Sequence, residues 1–152
     1  MRFNSPAILG LALLLGTTGR AMAQKTAVPP SAATDSAIAS AHKAADAWLD
    51  QLDGAQYGPS WDDAGSAFQR ASTKEQWIVT VQKVRGQVGP LGQRTVQKSQ
   101  FTTTVPNLPV GEYVVMQYRT VSASGGFITE TVVLQRDGAR GWRVDSYVVK
   151  PA

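Results

Sequence analysis

The chain predicts an α+β domain in which three N-terminal helices pack on one face of a four-stranded antiparallel sheet. Two observations carry that expectation. Apolar residues recur at three- and four-residue steps as far as Val88, and after Pro90 the step changes to two. Turn signals then divide the second half into strand-length segments that follow one another directly, which reads as a meander of hairpins.

The length of 152 residues favours one domain. Residues 1–23 read as a cleaved signal peptide. Arg2 supplies the positive start, Ala7 to Leu15 the apolar core, and Ala21-Met22-Ala23 a small-x-small site that leaves Gln24 first. A spanning helix needs about 20 apolar residues, and Gly16-Thr17-Thr18-Gly19-Arg20 interrupts the run, so no membrane anchor is expected after cleavage. Residues 24–33, with Pro29-Pro30, read as a disordered linker, and 34–152 as the domain.

Each element has its own signal. Thr34 or Asp35 caps a first helix striped by Ile38, Ala41, Ala45, Leu49 and Leu52, ending at Gly54. A weaker second helix runs from Tyr57 to about Ala71, with Pro59 in its first turn and Trp61, Ala64 and Phe68 as apolar marks. Ser72 with Glu75, and Thr73 with Gln76, are overlapping capping boxes for a third helix striped by Trp77, Val81, Val84 and Val88. Strands are expected at 92–104, 113–121, 127–135 and 142–149, with turns at Ser122–Gly126 and Asp137-Gly138.

Composition excludes several chemistries. With no cysteine there is no disulfide frame, thiol nucleophile or zinc-cysteine site, and one histidine excludes a multi-histidine metal site within the chain. Removing Arg2 and Arg20 with the signal leaves 13 of the 15 Lys and Arg against 11 Asp and Glu, a net charge of +2 rather than +4. The basic residues are scattered, so a nucleic-acid partner is not expected.

Turn centres set the register of the last three strands. The first turn pairs Tyr118 with Glu130, Met116 with Val132 and Val114 with Leu134. The second pairs Leu134 with Trp142, Val132 with Val144 and Glu130 with Ser146. The helix-facing side then carries Val114, Met116, Ile128, Val132, Leu134, Trp142, Val144 and Val148. A polar row of Tyr118, Glu130 and Ser146 crosses it, with Arg94 or Lys98 as cationic partners for the carboxylate. Tyr118, Glu130, Ser146, Arg94, Met116 and Trp142 are therefore the pocket candidates. The opposite face carries Tyr113, Val115, Val133, Tyr147 and Val149, a surface for homodimerisation.

Other features read as structural. His42 sits four residues before Asp46, a surface pair on one helix face. Asp62-Asp63 suits the first turns of a helix rather than a metal, and Trp48, Trp61, Trp77 and Trp142 sit on or near apolar stripes. No cofactor or metal is expected.

The run Ala45–Leu49, then Tyr57, Ser60-Trp61, Phe68 and Trp77, resembles the start of a bacterial family of secreted proteins catalogued as domain of unknown function 4019. Gly111–Val115, Gln117-Tyr118, Glu130–Val132 and Gly141–Val144 extend the resemblance over residues 40–150. The order of helices and a curved sheet also resembles the nuclear transport factor 2-like, or cystatin-like, cone, whose members include isomerases, hydrolases and binding modules. The resemblance implies a sheet that curls around the helices and often leaves a pocket. The expected function is an exported, periplasmic or extracellular, non-enzymatic module that binds a small apolar ligand or a protein. The alternative is a pocket enzyme with Glu130 as general base and Tyr118 as hydrogen-bond donor.

Overall fold

The computed structural model describes residues 31–123 and 125–152. The expected signal peptide and residues 24–30 of the linker lie outside the described residues. The helices are α1 (Ala32–Asp53), α2 (Tyr57–Asp62), α3 (Ser66–Ala71) and α4 (Lys74–Val88). The strands are β1 (Leu91–Thr102), β2 (Tyr113–Ser122), β3 (Phe127–Arg136) and β4 (Trp142–Pro151). They form one antiparallel sheet in the order β1-β2-β3-β4, with a short 3-10 turn at Gly138–Arg140 before β4. The α+β class is as expected, but among the described residues there are four helices rather than three.

α1 starts earlier than its sequence suggests, because Ser31 accepts the Thr34 amide at 3.3 Å and the Ala-rich start continues the helix. α4 begins with the expected capping box: Thr73 accepts from the Gln76 amide, and the Gln76 side chain accepts from the Thr73 amide. It ends at Gly89, whose φ of 70° favours glycine.

The expected helix over 57–71 is broken at Asp63–Gly65. The Gly65 amide leaves the helical ladder and donates to the Val144 carbonyl at 2.8 Å. The buried Asp145 carboxylate lies against Gly65: a Cβ there would meet Asp145 Oδ1 at 2.1 Å. A periodic stripe cannot reveal that interruption, because its cause is a strand eighty residues later.

The β2–β3 register is as expected, with Tyr118 opposite Glu130 and Met116 opposite Val132. The β3–β4 register differs. Leu134 pairs with Val144 and Arg136 with Trp142, because the 3-10 turn lengthens the connection. A bulge at Asp145 then shifts the strand by one, so that Val133 pairs with Ser146, Val132 with Tyr147 and Glu130 with Val149. A one-residue shift exchanges the faces. Tyr147 and Val149 therefore join the helix side, and Val148 turns outward, 40% exposed.

The core lies between α1, the aromatic residues of α2–α4 and the inner sheet face. Trp48, Phe68, Trp77 and Tyr147 pack at centroid distances from 4.8 to 6.4 Å, mostly edge to face. Ser60 satisfies two buried indole N–H groups: Trp48 donates to its carbonyl at 2.7 Å and Trp77 to its hydroxyl at 3.0 Å. On the outer face, Tyr113 and Val133 are buried within the chain, and the Tyr113 hydroxyl donates to the Pro109 carbonyl at 2.6 Å. With Tyr147 turned inward as well, the five-residue outer surface drawn from the sequence is not left open.

Replacing Gly65 by alanine is expected to cost about 1–3 kcal/mol, the range for overpacking. Much of that loss should disappear on an Asp145→Ala background, where the obstructing carboxylate is gone. Strictly additive losses in a denaturation cycle would show that the close approach of Gly65 to Asp145 is not the constraint.

Candidate functional site

Glu130 is fully buried on the inner face. An ionised carboxylate has about four acceptor positions and needs donors for them in a dry interior. Arg94 supplies two: its Nε donates to Oε2 at 2.7 Å and its Nη2 to Oε1 at 3.2 Å. The Thr120 hydroxyl donates to Oε2, and the Tyr147 hydroxyl donates to Oε1 at 2.6 Å. Arg85 Nη2 stands 4.0 Å from Oε1.

The network continues to the end of α1. Arg85 Nη1 donates to Asp53 Oδ1 at 2.9 Å, and both terminal nitrogens of Arg94 reach the same carboxylate. Two carboxylates thus face two guanidiniums with no net charge. Their donors and acceptors come from α1, α4 and all four strands: Asp53, Arg85, Arg94, Thr120, Glu130 and Tyr147. Burial alone would raise the Asp53 pKa, but the hydrogen bonds and charges of Arg94 and Arg85 outweigh it and hold the group below its ordinary value of 3.8. Burial pushes the Tyr147 hydroxyl up, and the adjacent Glu130 charge adds to it.

Arg94 and Glu130 meet as the sequence suggested. The other candidates are placed elsewhere. Tyr118 lies beside Glu130 across the sheet, but its hydroxyl donates to Met116 Sδ at 3.3 Å, and its ring meets His42 edge-on at 6.0 Å. Ser146 is displaced by the bulge to the position opposite Val133, where it lines a groove with Asp145 and Leu108. Met116 is core, Trp142 is buried at the start of β4 beneath Arg136, and Lys98 is exposed. Asp53, Arg85, Thr120 and Tyr147 were missed. Thr120 shares the parity of Tyr118, and Arg85 extends the Trp77–Val81 step by four, so both carried a periodic signal. Tyr147 was hidden by the bulge.

Two grooves flank α4, which packs chiefly on α2 rather than on the strands. One, of about 510 Å3, runs beside Asp53, Arg85, Tyr57 and Gln82. The other, of about 410 Å3, lies between the C-terminal half of α4 and the far end of the inner sheet face. Val84, Val88, Phe127, Ile128, Val149 and Pro151 give it a mostly apolar lining, to which Gln87, Ser122 and Lys150 add polar groups.

Asp62 and Asp63 are paired at the surface, whereas burial raises the pKa of the Asp145 carboxyl and leaves its oxygens without a side-chain partner. Asp62 pairs with Lys74 at 2.6 Å, and Asp63 accepts from Gln51 at 2.6 Å. Among the described residues no cluster of three or more His, Asp or Glu is placed to hold a metal ion, and no helix is long and apolar enough to cross a membrane.

Residues 44–147 match the model of a family described as protein of unknown function (DUF4019). No curated protein matches the chain.

Truncating Glu130 to alanine is expected to destabilise the fold by about 3–5 kcal/mol, because it leaves two guanidiniums facing one carboxylate in a buried site. Urea denaturation measures this. A loss no larger than that of an ordinary surface substitution would show that the network does not hold the elements together.

Proposed function

The chain belongs to the DUF4019 family of proteins of unknown function, and we propose that it is an exported, non-enzymatic binding module of the nuclear transport factor 2-like type. Its ligand is a small apolar molecule held between α4 and the inner sheet face. The apolar groove of about 410 Å3 carries the reading, since ligand sites are concave, mostly apolar and roughly 300–1,000 Å3 in volume. Phe127 at its rim remains 46% exposed. Val149 and Pro151 face the groove after the bulge, and Lys150 is the one charged residue that also lines it, so the wall offered to a ligand is mostly apolar.

The charge network supports a binding role over chemistry at Glu130. Glu130 is fully enclosed, and both its oxygens already accept hydrogen bonds. A general base must reach the proton it abstracts, and this carboxylate is committed to Arg94, Thr120 and Tyr147. The n-region, apolar core and Ala21-Met22-Ala23 site of the N-terminus support export to the periplasm or the outside of the cell.

A neutral fluorescent probe such as N-phenyl-1-naphthylamine should bind saturably to the intact chain. Val149→Trp, which fills the groove, should weaken that binding by about tenfold or more while leaving the unfolding midpoint nearly unchanged. Absence of saturable binding, or equal binding by the variant, overturns the reading. The export claim is checked separately: the intact mass of chain recovered outside the cytoplasm should correspond to a first residue of Gln24, and an uncleaved Met1 would refute it.

A further inference from the structure

We propose that Ser99, with His42 and Asp46, forms an activated nucleophile that accepts an acyl group from small activated esters. The observation is a juxtaposition invisible in the sequence. His42 and Asp46 lie one turn apart on α1, and His42 Nδ1 stands 4.0 Å from Asp46 Oδ2. On the other side of the same ring, His42 Nε2 lies 3.4 Å from the hydroxyl of Ser99 on β1. The imidazole therefore sits between a carboxylate at one nitrogen and a serine hydroxyl at the other, the arrangement by which a base activates a weak nucleophile.

The surroundings hold Ser99 and His42 in place, while the Asp46 side chain is 61% exposed. Ser99 is opposite Met116, a core residue, and residues directly opposite share a face, so Ser99 points toward α1. It follows the irregularity between Val96 and Lys98, which re-aims the strand at this point. The Tyr118 ring packs edge-on against His42 at 6.0 Å and limits its rotation. The His42 side chain remains 27% exposed, so a small ester can reach the pair from solvent. Separations somewhat longer than a tight hydrogen bond are usual in such sites before substrate arrives.

The step balances without a further reactant. With the neutral imidazole carrying its proton on Nδ1, toward Asp46, the Nε2 lone pair faces Ser99. Ser99 Oγ attacks the ester carbonyl carbon as its proton passes to Nε2, and the carbonyl π pair moves onto oxygen. When that pair returns, the bond to the leaving oxygen breaks, and the leaving group takes the proton from Nε2. The products are an O-acylated Ser99, a free alcohol or phenol, and neutral His42. This chemistry lies on the β1 side of α1 and does not depend on the groove beside α4.

The test uses the chain from Gln24 onward, incubated with p-nitrophenyl acetate, and reads both nitrophenolate release and the acetylated peptide. An acetyl adduct on Ser99 is expected. Ser99→Ala should lose it. His42→Gln, which retains a hydrogen-bonding side chain but not the base, should slow its formation by about a hundredfold, the lower end of general-base contributions. Asp46→Asn should slow it less. Each variant's thermal midpoint is compared with the parent, so that loss of labelling through unfolding is recognised, and a fluorophosphonate probe repeats the assignment in any variant with a lowered midpoint. Acetylation confined to lysines, or adducts on Ser99 forming equally fast in folded His42→Gln, overturns the proposal.

Discussion

A carboxylate is fully buried on the inner face of the sheet, and the arrangement around it follows from what that carboxylate requires. An unpaired ion of this kind in a dry interior costs several kcal/mol even after relaxation. Glu130 is accommodated because four hydrogen bonds from Arg94, Thr120 and Tyr147 cover its two oxygens. Arg94 in turn is itself nearly buried and needs a second anion, which is Asp53 at the end of α1. Asp53 also holds Arg85 of α4. Each group is there because another would be unbalanced without it. Since they come from both long helices and every strand, satisfying one carboxylate fixes the relative positions of most of the fold.

The parts of this that sequence reveals are those governed by local period. Change of step at Pro90, the capping box at Thr73 and the pairing of Tyr118 with Glu130 across a short turn all depend on residues close together in the chain. Conversely, Asp145 and Gly65 act on each other at long range. The bulge at Asp145 exchanges the faces of the rest of β4, and the carboxylate it places requires a residue without Cβ at Gly65, which divides a helix in two. Neither event leaves a periodic trace: the single helix expected over 57–71 fails at Gly65, and the expected Glu130–Ser146 pairing fails through the turn at Gly138–Arg140 and the bulge together.

The same bulge decides how much of the candidate site could be read in advance. The Glu130–Arg94 pair follows from an apolar face that contains one acid and a neighbouring strand that contains a base. Thr120 and Arg85 stand on periodic positions occupied by polar residues, and such a position is a signal once the acid has been found. Tyr147 cannot be found that way, because in an unbroken strand it belongs to the outer face. His42 and Ser99 come from α1 and β1, 57 positions apart, and no local pattern joins them.

The charged layer also explains why space remains beside α4. Arg85 projects from α4 and Arg94 from β1, and their guanidiniums lie between helix and sheet against the Asp53 and Glu130 carboxylates. α4 is braced on α2, packs Trp77 against Tyr147 of β4, and is tied to the sheet at its end where the Ser122 hydroxyl donates to the Val88 carbonyl at 2.6 Å. A groove persists on each side of that brace: polar where it meets Asp53 and Arg85, apolar where the inner face continues past the last charged residue to Ile128, Val149 and Pro151. Replacing a buried ion network by apolar side chains often costs nothing in stability. Here the network joins α1, α4 and all four strands through specific hydrogen bonds, so its contribution is to geometry as much as to energy.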